Sequence, residues 1–220
     1  MARESNHQKM RPGPRILFRL AQLGVGLFLY GAATALMVRA TVGVSSWSVL
    51  TQGLQHLVPF SFGVITVAVS AALLLLWIPL RQRPGIGTLL NVVMIGPSAD
   101  IVLAVVPTSQ VLVLRVALFA SGLLLLAIAT ACYIGAGFGS GARDGLMVGL
   151  HERLGWPIWV TRTSIEVTVV IAGGILGGNV GVGTVIAAFA VGPLIHPLIP
   201  IFSRFPWVTP FRSASPPEPG

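Results

Sequence analysis

The sequence predicts an all-α polytopic membrane protein in which six transmembrane helices form two inverted three-helix repeats. Three observations support this fold class: an apolar composition, six long apolar stretches, and a repeat of the chain on itself. Of the 220 residues, 54% are hydrophobic and only 9% are charged, whereas soluble proteins carry about 25% charged residues. So few charges cannot cover the surface of a soluble globule, which excludes a soluble enzyme, a disordered chain and a disulfide scaffold.

Six apolar stretches are long enough, or nearly so, to cross a hydrocarbon core of about 30 Å. Each is predicted to be a helix, because lipid cannot satisfy unpaired main-chain N–H and C=O groups. The apolar runs are continuous and lack the alternation of a membrane β-barrel. The predicted spans are Ile16–Val38, Val64–Leu80, Thr88–Val106, Leu112–Ile134, Thr161–Gly178 and Val182–Phe202.

The distribution of Lys and Arg predicts the orientation of these helices, because cytoplasmic segments are enriched in both residues. With the N-terminus inside, the outside segments carry only Arg39. Both termini are therefore expected in the cytoplasm. The net charge of +8 is then a topology signal, and no nucleic-acid partner is expected. The inside residues are Arg3, Lys9, Arg11, Arg15, Arg81, Arg83, Arg143, Arg153, Arg204 and Arg212.

The same pattern divides the chain into three parts. Residues 1–15 form a basic cytoplasmic segment, and residues 16–202 form a single transmembrane domain with the lipid bilayer as its first partner. Residues 203–220 are expected to be a disordered, Pro-rich cytoplasmic tail. The lone cysteine, Cys132, cannot form an intrachain disulfide and is expected to pack within an apolar run.

The chain aligns with itself at an offset of 96 residues without a gap. The offset superimposes Gly, Pro, Thr and Arg, which rarely match by accident in apolar helices. It divides the transmembrane domain into repeat one, residues 16–107, and repeat two, residues 112–202. The matched positions include Arg19 and Arg115, Gly26 and Gly122, Ala33–Ala35 and Ala129–Ala131, Gly85–Thr88 and Gly181–Thr184, and Gly96-Pro97 and Gly192-Pro193.

Each repeat contains three predicted spans, and an odd number of crossings reverses the direction of the chain. The second repeat must therefore enter the membrane from the opposite side, which makes the two halves inverted repeats about an axis in the membrane plane. Many secondary transporters are built in this way and bind their substrate near the midplane, between the halves. The link from this architecture to transport is an analogy at the level of the fold.

After its first span, each repeat carries a short amphipathic segment that is too polar to cross the membrane. The first segment is Gly43–Val58 and the second is Gly139–Leu154. Two interpretations remain open for both. Each is either an interfacial helix on the bilayer surface, or a re-entrant half-helix whose N-terminus faces a central cavity and favours an anion.

Five blocks of the sequence share a recognisable pattern: LWIPLRQRPGIGTLLN (Leu76–Asn91), IGPSAD (Ile95–Asp100), YIGAGFGSGARDGLMVGLHERLG (Tyr133–Gly155), Arg162-Thr163…Glu166 and GGNVGVGTV (Gly177–Val185). Together they resemble the YczE/YyaS/YitT-type membrane proteins of bacteria, over about residues 16–200. The resemblance implies an integral protein of the bacterial plasma membrane whose ligand is unassigned. It also implies an aspartate in the first amphipathic segment, where this chain has Ser48, whereas the second segment keeps Asp144.

Six ionisable residues are the candidate substrate-binding residues: Arg143, Asp144, Arg162, Glu166, Asp100 and His196. Charges at membrane depth cost roughly 2.5–3.5 kcal/mol each on insertion scales, so these side chains should face protein or water. Arg162 and Glu166 lie four residues apart and form either a self-neutralised pair or a ligand or proton site. Asp100 and His196 each follow a Gly-Pro at equivalent positions, and they form either a proton relay or parts of two kinked helices.

No cofactor or metal site is expected from the remaining polar residues. His56 and His151 lie in the amphipathic segments without a metal-binding spacing. Asn91 and Asn179 are expected to make interhelical hydrogen bonds or turns rather than to bind a ligand.

The leading functional hypothesis is a small secondary transporter or permease of an unidentified small solute or ion. One inverted pair of repeats is small for this role, which favours a homodimer. The alternative is a non-transporting scaffold, chaperone or regulatory subunit, because the segment around Arg143–Trp159 is charged and amphipathic. The sequence contains no catalytic constellation, so an enzyme is not expected.

Overall fold

The computed structural model describes residues 14–139 and 141–203, and the fold of these residues is helical without any strand. Residues 1–13 of the expected basic N-terminal segment and residues 204–220 of the expected tail lie outside the described residues, whereas residues 14 and 15 begin the first helix. In the described part of the chain, nine helices follow in order: α1 (Pro14–Ala40), α2 (Ser46–Gln55), α3 (Phe62–Leu80), α4 (Ile86–Val105), α5 (Leu112–Gly135), α6 (Ala142–Leu154), α7 (Ile158–Ile175), α8 (Val182–Ile195) and α9 (Ile199–Ser203).

Five helices are long and apolar enough to cross a membrane, namely α1, α3, α4, α5 and α7. They correspond to the first five predicted spans, with ends that differ by a few residues. Local chemistry explains the differences. α3 begins at Phe62 because the Ser61 hydroxyl caps it and accepts a hydrogen bond from the Val64 N–H at 3.2 Å. α7 begins directly after Pro157, a residue that favours helix starts.

The sixth predicted span, Val182–Phe202, is divided in the structure. α8 has 14 residues, which corresponds to about 21 Å of helix and is shorter than the hydrocarbon core of about 30 Å. Pro197 and Pro200 explain the break, because neither has the N–H group that would continue the helical hydrogen-bond ladder. The prediction of six span-length helices is therefore corrected: within the described residues there are five, followed by two shorter helices.

The two amphipathic segments form the short helices α2 and α6. α2 has 10 residues and α6 has 13, so neither can reach across a hydrocarbon core of about 30 Å. α2 packs against α7, and α6 packs against α3. Trp47, Val49 and Thr51 of α2 are all buried. The first amphipathic segment is thus a part of the protein interior.

The 96-residue offset recurs in the helix boundaries. α2, α3 and α4 begin at residues 46, 62 and 86, and α6, α7 and α8 begin 96 residues later, at 142, 158 and 182. The two halves differ in their last helix. In repeat one this helix, α4, is continuous, whereas in repeat two it is interrupted between α8 and α9. Ile101 and Ala104 occupy the positions in α4 that correspond to Pro197 and Pro200. The prolines of repeat two therefore account for this difference.

Contacts between the halves also occur in pairs related by the same offset. The Arg19 Nε donates a hydrogen bond to the Ala136 carbonyl at 3.0 Å, and the Arg115 Nε donates one to the Ala40 carbonyl at 3.0 Å. Each arginine thereby satisfies a carbonyl at the end of the opposite helix. A second pair consists of main-chain hydrogen bonds. The Gly87 N–H donates to the Phe138 carbonyl, and the Gly183 N–H donates to the Val42 carbonyl.

α1 and α5 form the centre of the bundle. Gly26 lies against Tyr133 and Gly122 lies against Met37, again at positions related by the offset. A Cβ atom would come within 2.8 Å of the Tyr133 nitrogen at the first glycine and within 2.9 Å of the Met37 Cγ at the second. Small residues at these positions let the two helices approach closely.

The packing of α6 on α3 predicts a destabilising substitution. Trp77 of α3 is 3% exposed, and its Nε1–H donates a hydrogen bond to the Ala142 carbonyl at 2.9 Å. A Cβ at Gly145 would overlap the Trp77 indole, and overpacking of a core costs about 1–3 kcal/mol. We predict that Gly145→Ala lowers the melting temperature in detergent by at least about 2 °C.

Gly24→Ala is the matched control, because nothing lies within 4 Å of a Cβ placed at that helical glycine. It should melt at or above the wild-type temperature, since alanine favours helix over glycine by about 1 kcal/mol. If Gly145→Ala melted together with Gly24→Ala, the close packing of α6 on α3 would be wrong.

Candidate functional site

A cavity of about 340 Å³ lies between the two halves. The N-terminal ends of α2 and α6 form part of its wall, together with side chains from α1, α3, α4, α5, α7 and α8. Its volume is at the small end of the range for small-molecule sites, about 300–1,000 Å³. Five of the six predicted substrate-binding residues line it: Arg143, Asp144, Arg162, Glu166 and His196.

The first turns of α2 and α6 meet at this cavity, which residues 45–47 and residues 141–143 line. The main-chain N–H groups of residues 46–48 and of residues 142–143 donate no hydrogen bond to any residue that the structure describes. Unpaired N–H groups at a helix start carry partial positive charge, and the helix dipole adds to it. Two positive helix ends therefore face one cavity.

The wall of the cavity is built from positions related by the 96-residue offset, but its charges lie in one half. Paired lining positions are Tyr30 and Leu126, Ser45 and Gly141, Asn91 and Ala187, and Ile95 and Val191. Repeat two supplies Arg143, Asp144, Arg162 and Glu166, where repeat one has Trp47, Ser48, Thr66 and Ser70. The positions that form the wall are therefore the same in both repeats, but only repeat two places charged side chains at them.

Arg162 and Glu166 form the ion pair that their spacing predicts. The Arg162 Nε donates a hydrogen bond to the Glu166 Oε1 at 3.1 Å, and the two side chains are 50% and 28% exposed. A water-exposed pair with this spacing contributes only about 0.3–0.5 kcal/mol. The pair is weakly held and accessible from the cavity, so either charge is available to a ligand.

Arg143 is the cavity cation that has no carboxylate partner. Its guanidinium lies 5.1 Å from the centre of the Trp47 ring, and it makes no salt bridge with any described residue. Positions 47 and 143 are equivalent under the offset, so this cation–π contact joins matching positions of the two halves. Such a contact is worth about 0.5–2 kcal/mol and leaves the guanidinium N–H groups free to donate.

Asp144 lies in the first turn of α6, beside Gly141 and Tyr133. Its Oδ2 accepts a hydrogen bond from the Gly141 N–H at 3.2 Å, and the Tyr133 hydroxyl lies close enough to influence the carboxyl. Burial raises the pKa of Asp144, although the Gly141 N–H, Arg143, Arg162 and Tyr133 all act to lower it. The protonated carboxyl is thus favoured more than in a free aspartate.

The structure does not bring Asp100 and His196 together. Asp100 accepts hydrogen bonds from the Ser61 hydroxyl and, at 2.8 Å, from the Gly63 N–H at the start of α3. It lies outside the cavity, whereas His196 lines it. A carboxylate at a helix N-terminus is favoured by the helix dipole, so Asp100 acts as a cap. The hypothesis of a direct proton relay between these two residues is therefore not supported by their positions.

Two polar cavity residues were not among the predicted substrate-binding residues. Asn91 and Ser46 line the cavity, and each is only 8% exposed. Neither side chain makes a hydrogen bond with a residue in the described part of the chain, although Asn91 was expected to make an interhelical hydrogen bond or a turn. The sequence did contain a signal for Asn91, because the repeat alignment pairs this amide with an alanine, Ala187, in repeat two.

Over residues 14–139 and 141–203, no group of three His, Cys, Asp or Glu residues is placed to hold a metal ion. The cavity offers guanidinium, amide, hydroxyl and carboxyl groups instead. These features define a helical membrane protein with a small cavity, lined by both polar and apolar groups, between two halves of matching sequence.

The chain belongs to DUF6198, a family of unknown function whose model matches residues 17–200. It is 36% identical over 193 residues to an uncharacterized protein of Haemophilus influenzae, covering 88% of this chain and 85% of that protein. It is 27% identical over 178 residues to the uncharacterized membrane protein YczE of Bacillus subtilis, covering 80% of this chain and 82% of YczE. It is 26% identical over 185 residues to the uncharacterized protein YyaS of B. subtilis, covering 82% of this chain and 92% of YyaS.

The resemblance to YczE and YyaS that the sequence blocks indicated is therefore confirmed. No solved structure matches the chain.

The raised pKa of Asp144 predicts a pH-dependent stability. The pKa of a free aspartate is about 3.9. A carboxyl with a higher pKa in the folded state stabilises the fold fully below the unfolded pKa, and this contribution is lost as the pH rises through the folded pKa. We predict that the melting temperature in detergent falls as the pH rises above about 4 in the wild type, and falls less in Asp144→Asn.

Glu152→Gln is the control, since Glu152 is an exposed carboxyl on the same helix. Its melting temperature should follow the wild type across the pH range. Identical pH slopes for the wild type and Asp144→Asn would show that Asp144 does not titrate as a buried carboxyl.

Proposed function

We propose that this protein is a small secondary transporter of the bacterial plasma membrane, with two inverted repeats and both termini in the cytoplasm. Its substrate, a small solute or ion, binds in the cavity between the repeats. The observation that carries the proposal is that both repeats contribute equivalent positions to one polar cavity at which the starts of α2 and α6 meet. Substrate sites of many secondary transporters lie between inverted repeats in this way.

The reciprocal contacts between the halves support inversion. Residue 19 contacts residue 136, and residue 115 contacts residue 40. A two-fold axis produces such exchanged pairs, as in an isologous dimer interface. A repeat with an odd number of crossings can obey this symmetry in a membrane when the axis lies in the membrane plane. The proposal counts α8 and α9 together as the third crossing of repeat two, since α4 is their continuous equivalent.

The burial of α2 supports the re-entrant interpretation of the amphipathic segments. An interfacial helix keeps a polar face in water, whereas α2 has Ser46, Ser48 and Thr51 buried in addition to its apolar residues. A half-helix that ends inside the protein places its N-terminus at a substrate site, as the discontinuous helices of transporters do. We assign α2 and α6 to this role.

The break after α8 also lies at the cavity. Gly192, His196 and Ile199 all belong to its wall, and they flank Pro193 and Pro197. A helix interrupted by proline leaves carbonyl groups without helical partners, and such groups can bind a ligand or rearrange when one half moves against the other. The proposal includes a homodimer as the assembly, because one pair of repeats is small for a transporter.

The double substitution Arg162→Gln/Glu166→Gln tests the proposal, because it removes both charges of the cavity pair and leaves neither unpaired. In proteoliposomes, we expect the wild type to take up at least one small solute or ion faster than empty liposomes do. The uptake rate of the double variant should be at least about tenfold lower, which corresponds to about 1.4 kcal/mol. Arg153→Gln, which lies outside the cavity at the end of α6, should retain it.

The panel should include organic acids, organic cations, amino acids, sugars and inorganic ions. Uptake that never exceeds empty liposomes across this panel would contradict transport. The same result together with copurification of a second membrane protein in fixed ratio would favour a non-transporting scaffold, chaperone or regulatory subunit.

A further inference from the structure

We propose that the cavity binds a small organic monocarboxylate, with the carboxylate at the first turns of α2 and α6 and the organic group against the apolar part of the wall. The location of this site rests on the proposed function, and the chemical class of the substrate goes beyond it. Three features of the cavity carry the assignment: hydrogen-bond donors without acceptors, one arginine without a counter-ion, and apolar side chains.

The unpaired donors are concentrated at the helix starts. Main-chain N–H groups of residues 46–48 and 142–143 have no acceptor in the described part of the chain. The Asn91 amide and the Ser46 hydroxyl are each more than nine-tenths buried, line the same cavity and make no hydrogen bond with described residues. Because the residues that carry these donors line the cavity, a ligand placed there can accept hydrogen bonds from them. A carboxylate supplies about four acceptor positions and no donor.

Three polar side chains surround Gly141 at the start of α6. A Cβ atom there would lie 3.3 Å from the Asp144 Oδ2, 3.3 Å from the Tyr133 hydroxyl oxygen and 3.6 Å from the Asn91 Nδ2. The Asn91 amide is thus at the start of α6, within reach of the same ligand atoms as the helix N-terminus. A side-chain donor and main-chain donors therefore converge on one point of the cavity.

The charges of the cavity match a single negative charge on the ligand. Arg162 is paired with Glu166 at 3.1 Å, so this pair adds no net charge to the cavity. Arg143 remains without a salt bridge among the described residues, and the two helix dipoles reinforce its positive potential. A second negative charge on the ligand would have to compete with Glu166 for Arg162.

The remaining wall favours an organic anion over an inorganic one. Tyr30, Ile95, Leu126, Ile165 and Val191 line the cavity, and their apolar surface gains about 25 cal/mol for each Å² removed from water. Chloride or sulfate has no apolar surface with which to cover these side chains. The volume of about 340 Å³ limits the ligand to a small molecule.

Binding measured separately from uptake tests the assignment. Isobutyrate and benzoate are titrated into the purified full-length protein by calorimetry, with isobutyramide and benzamide as neutral isosteres and sulfate as the inorganic anion. We expect at least one acid to bind at least about tenfold more tightly than its amide and than sulfate. Asn91→Ala should weaken binding of that acid at least about fivefold, whereas Asn179→Ala, outside the cavity, should not.

The acid-against-amide comparison uses the wild-type protein, so it stays decisive even if Asn91→Ala fails to fold. Arg143→Gln is a second variant and should weaken binding of the acid more than binding of the amide. Equal affinity for acid and amide, or no binding of either acid up to about 10 mM, would overturn the assignment.

The two proposals fail separately. Carboxylate binding without uptake of any solute would retain the carboxylate site and contradict transport. Uptake of a sugar or a cation by a protein that does not bind carboxylates would retain transport and overturn the carboxylate site.

Discussion

The starts of α2 and α6 impose the constraint on which the rest of the structure depends. A main-chain N–H group without a hydrogen-bond partner is costly in apolar surroundings, so such a group needs water, a ligand or a polar neighbour within reach. Here side chains of the long helices surround both helix starts, and residues 45–47 and 141–144 line the cavity between them. The same groups that require the enclosure also give the cavity its positive potential.

The enclosure is made by the exchange of contacts between the two halves. α2 packs on α7 of the other half and α6 packs on α3, while Arg19 and Arg115 each bind a carbonyl at the opposite helix end. Each half therefore completes the packing and the hydrogen bonding of the other. The duplicated frame sets the position of the cavity, and repeat two, with Arg143 and Asp144 in place of Trp47 and Ser48, sets its charge.

Most of the helical fold could be predicted, because continuous apolar runs and the repeat offset are direct signals of helices in lipid. The division of the last span was less accessible. Pro197 and Pro200 are visible in the sequence, but a proline can kink a membrane helix without ending it. The site was predicted in part. The i,i+4 spacing of Arg162 and Glu166 predicts their contact on any helix. Arg143 and Asp144 could be predicted as site residues because they lie in the first turn of the second amphipathic helix.

Other features of the site depend on tertiary contacts that no local pattern encodes. Asp100 and His196 are equivalent in the repeat, but equivalent positions meet only when they lie near the symmetry axis. Asp100 instead caps α3 through Ser61 and Gly63. The lack of a partner for Asn91 likewise becomes visible only when its neighbours are placed.

The most direct test of the account is the membrane sidedness of the two loops that follow α2 and α6. Single cysteines would replace Leu57 and Leu154, which are 65% and 51% exposed, in a protein whose buried Cys132 is changed to Ser. The account predicts that a membrane-impermeant maleimide labels position 57 only from outside the cell and position 154 only from the cytoplasmic side. Labelling of both positions from the same side would contradict the inverted arrangement of the two halves.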